Sequence, residues 1–272
     1  MTRIISICNQ KGGVGKSNVA TNLPVFLAAL GKRTLLIDMD PQANATLSIG
    51  FHPRTLPLSV YHALMGQVTP SAIIRKSPFF GYEIMPASPD LAGATVELVG
   101  LDAREFKLRQ LLEKIQEPYD FILIDSPPSL GLLTVNVLCA SKEVLIPVQC
   151  EYLALEGLEQ LLGTINLVKE HLQHDLKIAG ALLTMYNRNS RLSREVVKEV
   201  RRNFPGYVFD TIIPRQVALA EAPKYGKTIL QYAPTSLAAQ AYRELAEELI
   251  KHNPNDANSH SNDTNKQFVE FG

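Results

Sequence analysis

Nine residues near the start of the chain, Asn9-Gln10-Lys11-Gly12-Gly13-Val14-Gly15-Lys16-Ser17, combine three glycines, two lysines and a hydroxyl in an order suited to holding a chain of phosphates. Gly12, Gly13 and Gly15 allow backbone angles that side chains forbid, so the N–H groups of the loop, Val14 included, can turn inward on an anion at a helix N-terminus. Lys16 then brings positive charge to the terminal phosphates, and the Ser17 hydroxyl is a ligand for Mg²⁺. Gln10 stands where the usual phosphate-loop pattern has its first glycine, and Lys11 is a lysine that pattern lacks. Carboxylates recur in two further places. Asp38-Met39-Asp40-Pro41-Gln42 closes one apolar run, and Asp125 closes another, D-F-I-L-I-D, ahead of Ser126-Pro127-Pro128. An aspartate at the end of a hydrophobic strand suits Mg²⁺ held through water, as hard cations prefer oxygen donors.

Such groups must be brought together by strands and helices of the right kind. Ile4 to Cys8 reads as a buried strand before the loop, and Val19 to Leu30 as a helix after it. Gly31 stops that helix, and Arg33 to Asp38 follows at an interval that suits a βαβ unit. Asp120–Asp125, Glu143–Val148 and Leu176–Thr184 read as further strands, and Leu108–Ile115, Leu153–Leu172 and Leu237–Ile250 as helices, the first of them on the surface. Residues 43–110 otherwise suggest short helices and loops. The alternation predicts an α/β fold: a doubly wound, mostly parallel sheet with helices on both faces. Residues 1–252 are expected to form one domain. Residues 253–272, rich in Asn, Ser, Asp and His, are expected to be a disordered tail.

The two-lysine loop K-G-G-V-G-K-S, the string D-M-D-P-Q and the string D-S-P-P together resemble the ParA/MinD ATPases, which carry a deviant Walker A loop, and in particular the ParA/Soj partition ATPases. The resemblance runs from about residue 3 to 250 and implies a fold of the P-loop NTPase type. It implies that Lys11 reaches across a dimer interface to the nucleotide of the partner subunit, and that Asp40 lies beside the attacking water. It also implies that Asn187, after T-M-Y, and the backbone of Pro214, in I-P-R, flank the adenine. Asn18 occupies a position that is usually Thr in the family, and its amide can donate to an α-phosphate oxygen. The implied cofactors are ATP and Mg²⁺. The implied function is a switch ATPase with weak intrinsic turnover. Its ATP-bound homodimer binds DNA without sequence preference and segregates chromosome or plasmid DNA, or other cargo over the nucleoid, and a ParB-like partner stimulates hydrolysis.

Lys plus Arg and Asp plus Glu number 27 each, so the net charge is zero and any surface for DNA must be local. Residues 188–202 supply one, with six basic residues, two acidic ones and a net charge of +4. On a helix, Arg191, Arg194, Lys198, Arg201 and Arg202 gather on one side, while Val196, Val197, Val200 and Phe204 face the other. A basic face of this kind tracks phosphates without reading bases. The competing reading is a solvated face laced by pairs such as Arg191 to Glu195. Lys224 and Lys227 are a second basic place, and Ala218 replaces an arginine that relatives often have.

Other ATPase classes make demands that this sequence does not meet. A membrane-bound positioning ATPase of the MinD kind needs a basic amphipathic C-terminal helix, whereas here only Phe268, Val269 and Phe271 are available to insert, so no stable membrane association is expected. A cytoplasmic, nucleoid-associated location follows from the resemblance. A metal-cluster carrier needs closely spaced thiolates, but Cys139 and Cys150 lie eleven apart, and with Cys8 they read as reduced core residues. For a ligase that phosphorylates a small substrate, the sequence names no substrate pocket.

Overall fold

The computed structural model describes residues 2–78, 81–151, 154–252 and 254. Seven strands, β1 (Arg3–Ile7), β2 (Thr34–Asp38), β3 (Arg75–Lys76), β4 (Tyr82–Met85), β5 (Phe121–Asp125), β6 (Glu143–Gln149) and β7 (Lys177–Thr184), form one sheet in the order β3-β4-β2-β5-β1-β6-β7. Every pairing is parallel except that of the edge strand β3 with β4.

Because successive strand side chains point to opposite faces, the apolar runs divide between two layers. Ile5, Ile7, Leu36, Leu123 and Leu145 pack under helix α1 (Lys16–Ala29) and the Leu237–Lys251 helix, against Val19, Leu23, Phe26, Tyr242 and Leu245. Leu35, Ile37, Ile122, Ile124, Val144 and Ile146 face the other way, against Leu133, Val137, Leu161, Ile165, Val196 and Val200. Those partners come from the Leu132–Ala140, Ala154–His171 and Arg191–Asn203 helices. Each such large aliphatic side chain is worth about 1.5–3 kcal/mol on full burial, and a strand covered on both faces has no room for polar alternation. That is why β2 and β5 read as unbroken apolar runs. The expected doubly wound sheet is the one observed.

Residues 43–110 depart from expectation, since they contribute β3 and β4. Tyr82–Met85 is too short to show a period and stops at Pro86. Its strand character comes from pairing with β2, Thr34 opposite Tyr82 through Ile37 opposite Met85. The expected surface helix at Leu108–Ile115 spans Lys107–Leu112 and buries Leu108, Leu111 and Leu112, so it is part of the core. In β7, Gly180 sits at a register shift against β6 with φ +150°, and a Cβ there would meet the Phe209 ring and the Tyr207 carbonyl at 2.9 Å. The expected tail and Leu153 lie outside the described residues, apart from Pro254. Among the described residues no helix is long and apolar enough to cross a membrane.

Candidate functional site

The strand register alone assembles the site. Ile7 and Asp38 both pair with Asp125, so the loops leaving β1, β2 and β5 converge at one point on the C-terminal edge of the sheet, where ligands of open α/β sheets bind. Past β1 the Cys8 N–H still donates to Leu145 O (3.1 Å). Asn9 then anchors the loop, its amide donating to Pro147 O (2.6 Å) and its Oδ1 accepting from the Lys11 N–H (2.9 Å). From the far side the Thr184 hydroxyl donates to Val14 O (2.8 Å). Gly13 and Gly15 adopt left-handed angles, φ +79° and +95°, which cost glycine nothing. Gly12 does not, and a Cβ there would meet nothing within 4 Å. The expectation that all three glycines are conformationally required holds for two. Helix α1 starts at Lys16 with no side-chain cap and no acidic residue in its first turn, leaving its first N–H groups for an anion.

Lys16 is buried, and its ammonium donates to Lys11 O (3.2 Å). Burial lowers its pKa, opposed by Asp125, Cys8 and Asp40. Asp125 is wholly buried, and neither carboxylate oxygen has a hydrogen-bond partner among the described residues. Burial first, and then the neighbouring Asp38 charge, push its carboxyl well above the usual range. The Ser17 hydroxyl lies near enough to favour the charged form, yet its geometry falls short of a hydrogen bond. An orphaned buried carboxylate needs explaining, and with the Ser17 hydroxyl it makes an oxygen donor set that a hard cation would satisfy. The donor set fits Mg²⁺.

Asp38 has a different part. It accepts from the Asp40 N–H (3.1 Å), the Thr46 N–H (2.8 Å) and the Thr46 hydroxyl (2.7 Å), and burial pushes its carboxyl up to about 6 against those bonds. Thr46, in helix α2 (Asn44–Ser48), also accepts from the Ala87 N–H (2.9 Å). The end of β2, helix α2 and the end of β4 are thereby tied together around Asp40. Asp40 itself is buried, with Oδ1 capping Gln42 N–H (2.9 Å), and burial raises its pKa. A supporting role for Asp38 and Thr46 was not read from the sequence, although Asp38 lies in a string it singled out.

Lys11 is half-buried, and its ammonium has no partner among the described residues. It opens on a cavity of about 500 Å³ shared with Glu151, Asn187, Ser190 and Arg215. Backbone pairing sets Pro214 beside Tyr186, next to Asn187: Tyr186 N–H donates to Ile213 O (3.1 Å) and Arg215 N–H to Tyr186 O (2.9 Å). Arg215, the arginine of I-P-R, forms an ion pair at 3.4 Å with Glu151, which had no sequence signal. A larger cavity, about 920 Å³, lies at the N-terminal ends of the strands around Arg3, Tyr119 and Lys142. It is remote from every group described above, so size does not decide the site.

Asn18 departs from expectation. Its amide donates to Leu219 O (3.0 Å) and its oxygen accepts from the Tyr242 hydroxyl (2.7 Å), so the side chain is committed to the body of the protein. On the Arg191–Asn203 helix, Val196, Val200 and Phe204 are buried and Val197 half-buried, while Arg191, Arg194, Lys198, Arg201 and Arg202 are exposed. Part of that basic face is internally engaged. Arg191 pairs with Glu195 (2.7 Å), Arg194 donates to Arg188 O (2.7 Å), and Arg201 pairs with Asp210 (3.2 Å). Lys198 and Arg202 have no such partner among the described residues. The three cysteines are buried and unbridged, and burial raises each thiol, Cys8 and Cys139 to about 11 and Cys150 to about 12.

Comparison with known proteins adds independent findings. A family model described as an AAA domain matches residues 2–178. The sporulation initiation inhibitor protein Soj of Bacillus subtilis is 48% identical over 249 residues, covering 92% of this chain and 98% of that protein. The chromosome-partitioning ATPase Soj of Thermus thermophilus is 48% identical, covering 91% and 95%. Among solved structures, a cobyrinic acid a,c-diamide synthase from Mycobacterium smegmatis with bound ADP and magnesium superposes with a TM-score of 0.82 at 39% identity, covering 93% of this chain and 95% of that one. The cell division ATPase MinD of Pyrococcus furiosus gives 0.76 at 28%, covering 92% and 99%.

Proposed function

The chain belongs to the Soj/ParA family of chromosome-partitioning ATPases, and from that premise we propose that it is a dimerising, DNA-binding switch whose ATP state is ended by a ParB-like partner. It is an ATPase, with ATP and Mg²⁺ as cofactors. In our reading, residues 1–252 are one ATPase domain. The backbone of Gly12, Gly13, Val14 and Gly15 and the first turn of α1 bind the phosphates, with Lys16 neutralising their charge. Ser17 and Asp125 hold Mg²⁺, which when bound draws charge from the transferring phosphoryl group. Asp40, kept in place by the Asp38–Thr46 tie, orients the attacking water, and Asn187 and Pro214 border the base.

The observation that carries the dimeric reading is Lys11. Its backbone oxygen holds Lys16 while its own ammonium has no partner among the described residues and lies beside an open cavity. A cation placed so is available to a neighbouring subunit's nucleotide, where it would stabilise charge developing in the transition state. The exposed basic face of the Arg191–Asn203 helix, which begins beside the same cavity, supports non-specific DNA binding by the dimer and hence a cytoplasmic location over the nucleoid. The diamide synthase named among the structural relatives favours the ligase reading, but the curated relatives that match at 44–48% over nearly full length include several named for chromosome partitioning.

The test is size-exclusion chromatography with ATP. Lys16→Ala is expected to abolish nucleotide binding, whereas Lys11→Ala retains binding and remains monomeric. A Lys11→Ala variant that dimerises like the parent would remove the basis for the trans role.

A further inference from the structure

Asparagine is a poor residue for a helix interior, because its amide competes for backbone groups. Yet α1 carries two, Asn18 and Asn22, one turn apart. Both are committed to the same C-terminal region. Asn18 Nδ2 donates to Leu219 O (3.0 Å), and Asn18 Oδ1 accepts from the Tyr242 hydroxyl (2.7 Å) and from Asn22 Nδ2 (3.3 Å). Asn22 Oδ1 accepts from the Ile229 N–H (2.6 Å). The partner at Leu219 is created by sequence. In the Val217–Glu221 helix the Leu219 carbonyl would look to the N–H four residues on, but that residue is Pro223, which has none. The Asn18 amide fills the vacancy.

The segment so held also touches the other side of the site. A Cβ on Gly226 would lie 2.8 Å from Gly50 Cα, so the two backbones meet in direct contact. Gly50 closes the stretch that begins at Asp40. Residues 216–229 are therefore fastened to α1, just after Ser17, and to the Asp40–Gly50 stretch at once. On their outer side they present Val217, Lys224, Tyr225 and Lys227, all exposed.

We propose that Asn18 is a positioning residue that ties the first turn of α1 to Leu219 and Tyr242, so that nucleotide at the loop sets the placement of the Gln216–Lys227 surface. The proposal rests on the reading of the loop as the nucleotide site. Hydrogen bonds weaken steeply with small displacements. A shift in the first turn of α1 carries the 217–221 helix with it while the Asn18–Leu219 bond holds, and a variant without that bond uncouples the two.

Hydrogen–deuterium exchange on the full chain, with and without Mg-ATP, tests this. In the parent protein nucleotide is expected to slow exchange both at residues 9–19 and at 216–222. Tyr242→Phe keeps the ring beside Phe26 (centroids 6.3 Å apart) and removes only the hydroxyl that orients Asn18. Asn18→Ala removes both bonds. At saturating nucleotide each variant should keep the response at 9–19 and lose about fivefold or more of the response at 216–222. Parent-like responses at 216–222 in both variants would overturn the relay. So would a parent protein that responds at 9–19 but not at 216–222. A parent protein with no response at 9–19 would overturn the nucleotide reading, and the relay with it.

Discussion

Asp125→Asn separates what the carboxylate does for the site from what it costs the fold. Asp125 is wholly buried at the meeting point of β1, β2 and β5, with both oxygens unpartnered and Asp38 alongside. Leaving a buried polar group unsatisfied costs about 1–3 kcal/mol, and more when it is charged. Asparagine keeps the shape and removes the charge. Lys16 loses its largest opposing influence but keeps Asp40 and the Lys11 carbonyl at 3.2 Å, so its loss does not cancel the gain. Without nucleotide at pH 8, the variant should be more stable by about 1–3 kcal/mol, a rise in Tm of about 2–4 °C per kcal/mol for a chain of this size. The sign of the pH dependence follows from the direction of the shift. The folded carboxyl holds its proton to higher pH than the unfolded one, so between the two pKa values the folded state binds more protons and parent stability falls as pH rises. The advantage of the variant therefore opens as pH rises from the unfolded value of 3.8 through the folded one, and closes on acidification. Denaturant titrations at pH 5 and pH 8 measure it. The same variant should lose Mg²⁺-dependent turnover by at least about 10–100-fold. A variant less stable than the parent at pH 8, or an advantage that widens in acid, would refute the reasoning.

Asp40→Ala should bind ATP and accumulate as the dimer while turnover falls by about 10²-fold or more, the usual worth of a positioned acid–base group; unchanged turnover would reassign Asp40 to structure. Lys198→Glu with Arg202→Glu reverses the two basic residues of the Arg191–Asn203 helix that carry no internal bond among the described residues. Binding to DNA in the presence of ATP should weaken uniformly across sequences, and the slope of log affinity against log salt should fall by about 0.9 for each phosphate no longer neutralised. Parent-like binding would move the surface elsewhere, Lys224 and Lys227 first. Gly180→Ala should destabilise the fold by about 1–3 kcal/mol through overpacking, since the new Cβ would lie 2.9 Å from the Phe209 ring and the Tyr207 carbonyl; equal denaturation midpoints would show that β7 relaxes there.

Most of the site was legible in the sequence because its parts are local. A glycine loop, a lysine after it and an aspartate at the end of an apolar strand each declare themselves within a few residues, and the strands that carry them are buried on both faces and so read as continuous apolar runs. The family resemblance rested on the same strings. What those strings lack is the partner of each group. Asp38 and Asp125 are 87 residues apart in sequence and opposite each other in register, and only that register leaves one carboxylate with three hydrogen bonds and the other with none. β4 shows why short strands escape notice, since four residues before a proline acquire their conformation from β2. Asn18 shows the same for a side chain. Its chemistry allows a phosphate or a carbonyl as acceptor, and the choice of Leu219 depends on Pro223, more than 200 positions away, withholding an N–H. Residue type sets which bonds a group is able to make. Packing decides which of them it makes, because burial penalises every polar group that is left without one.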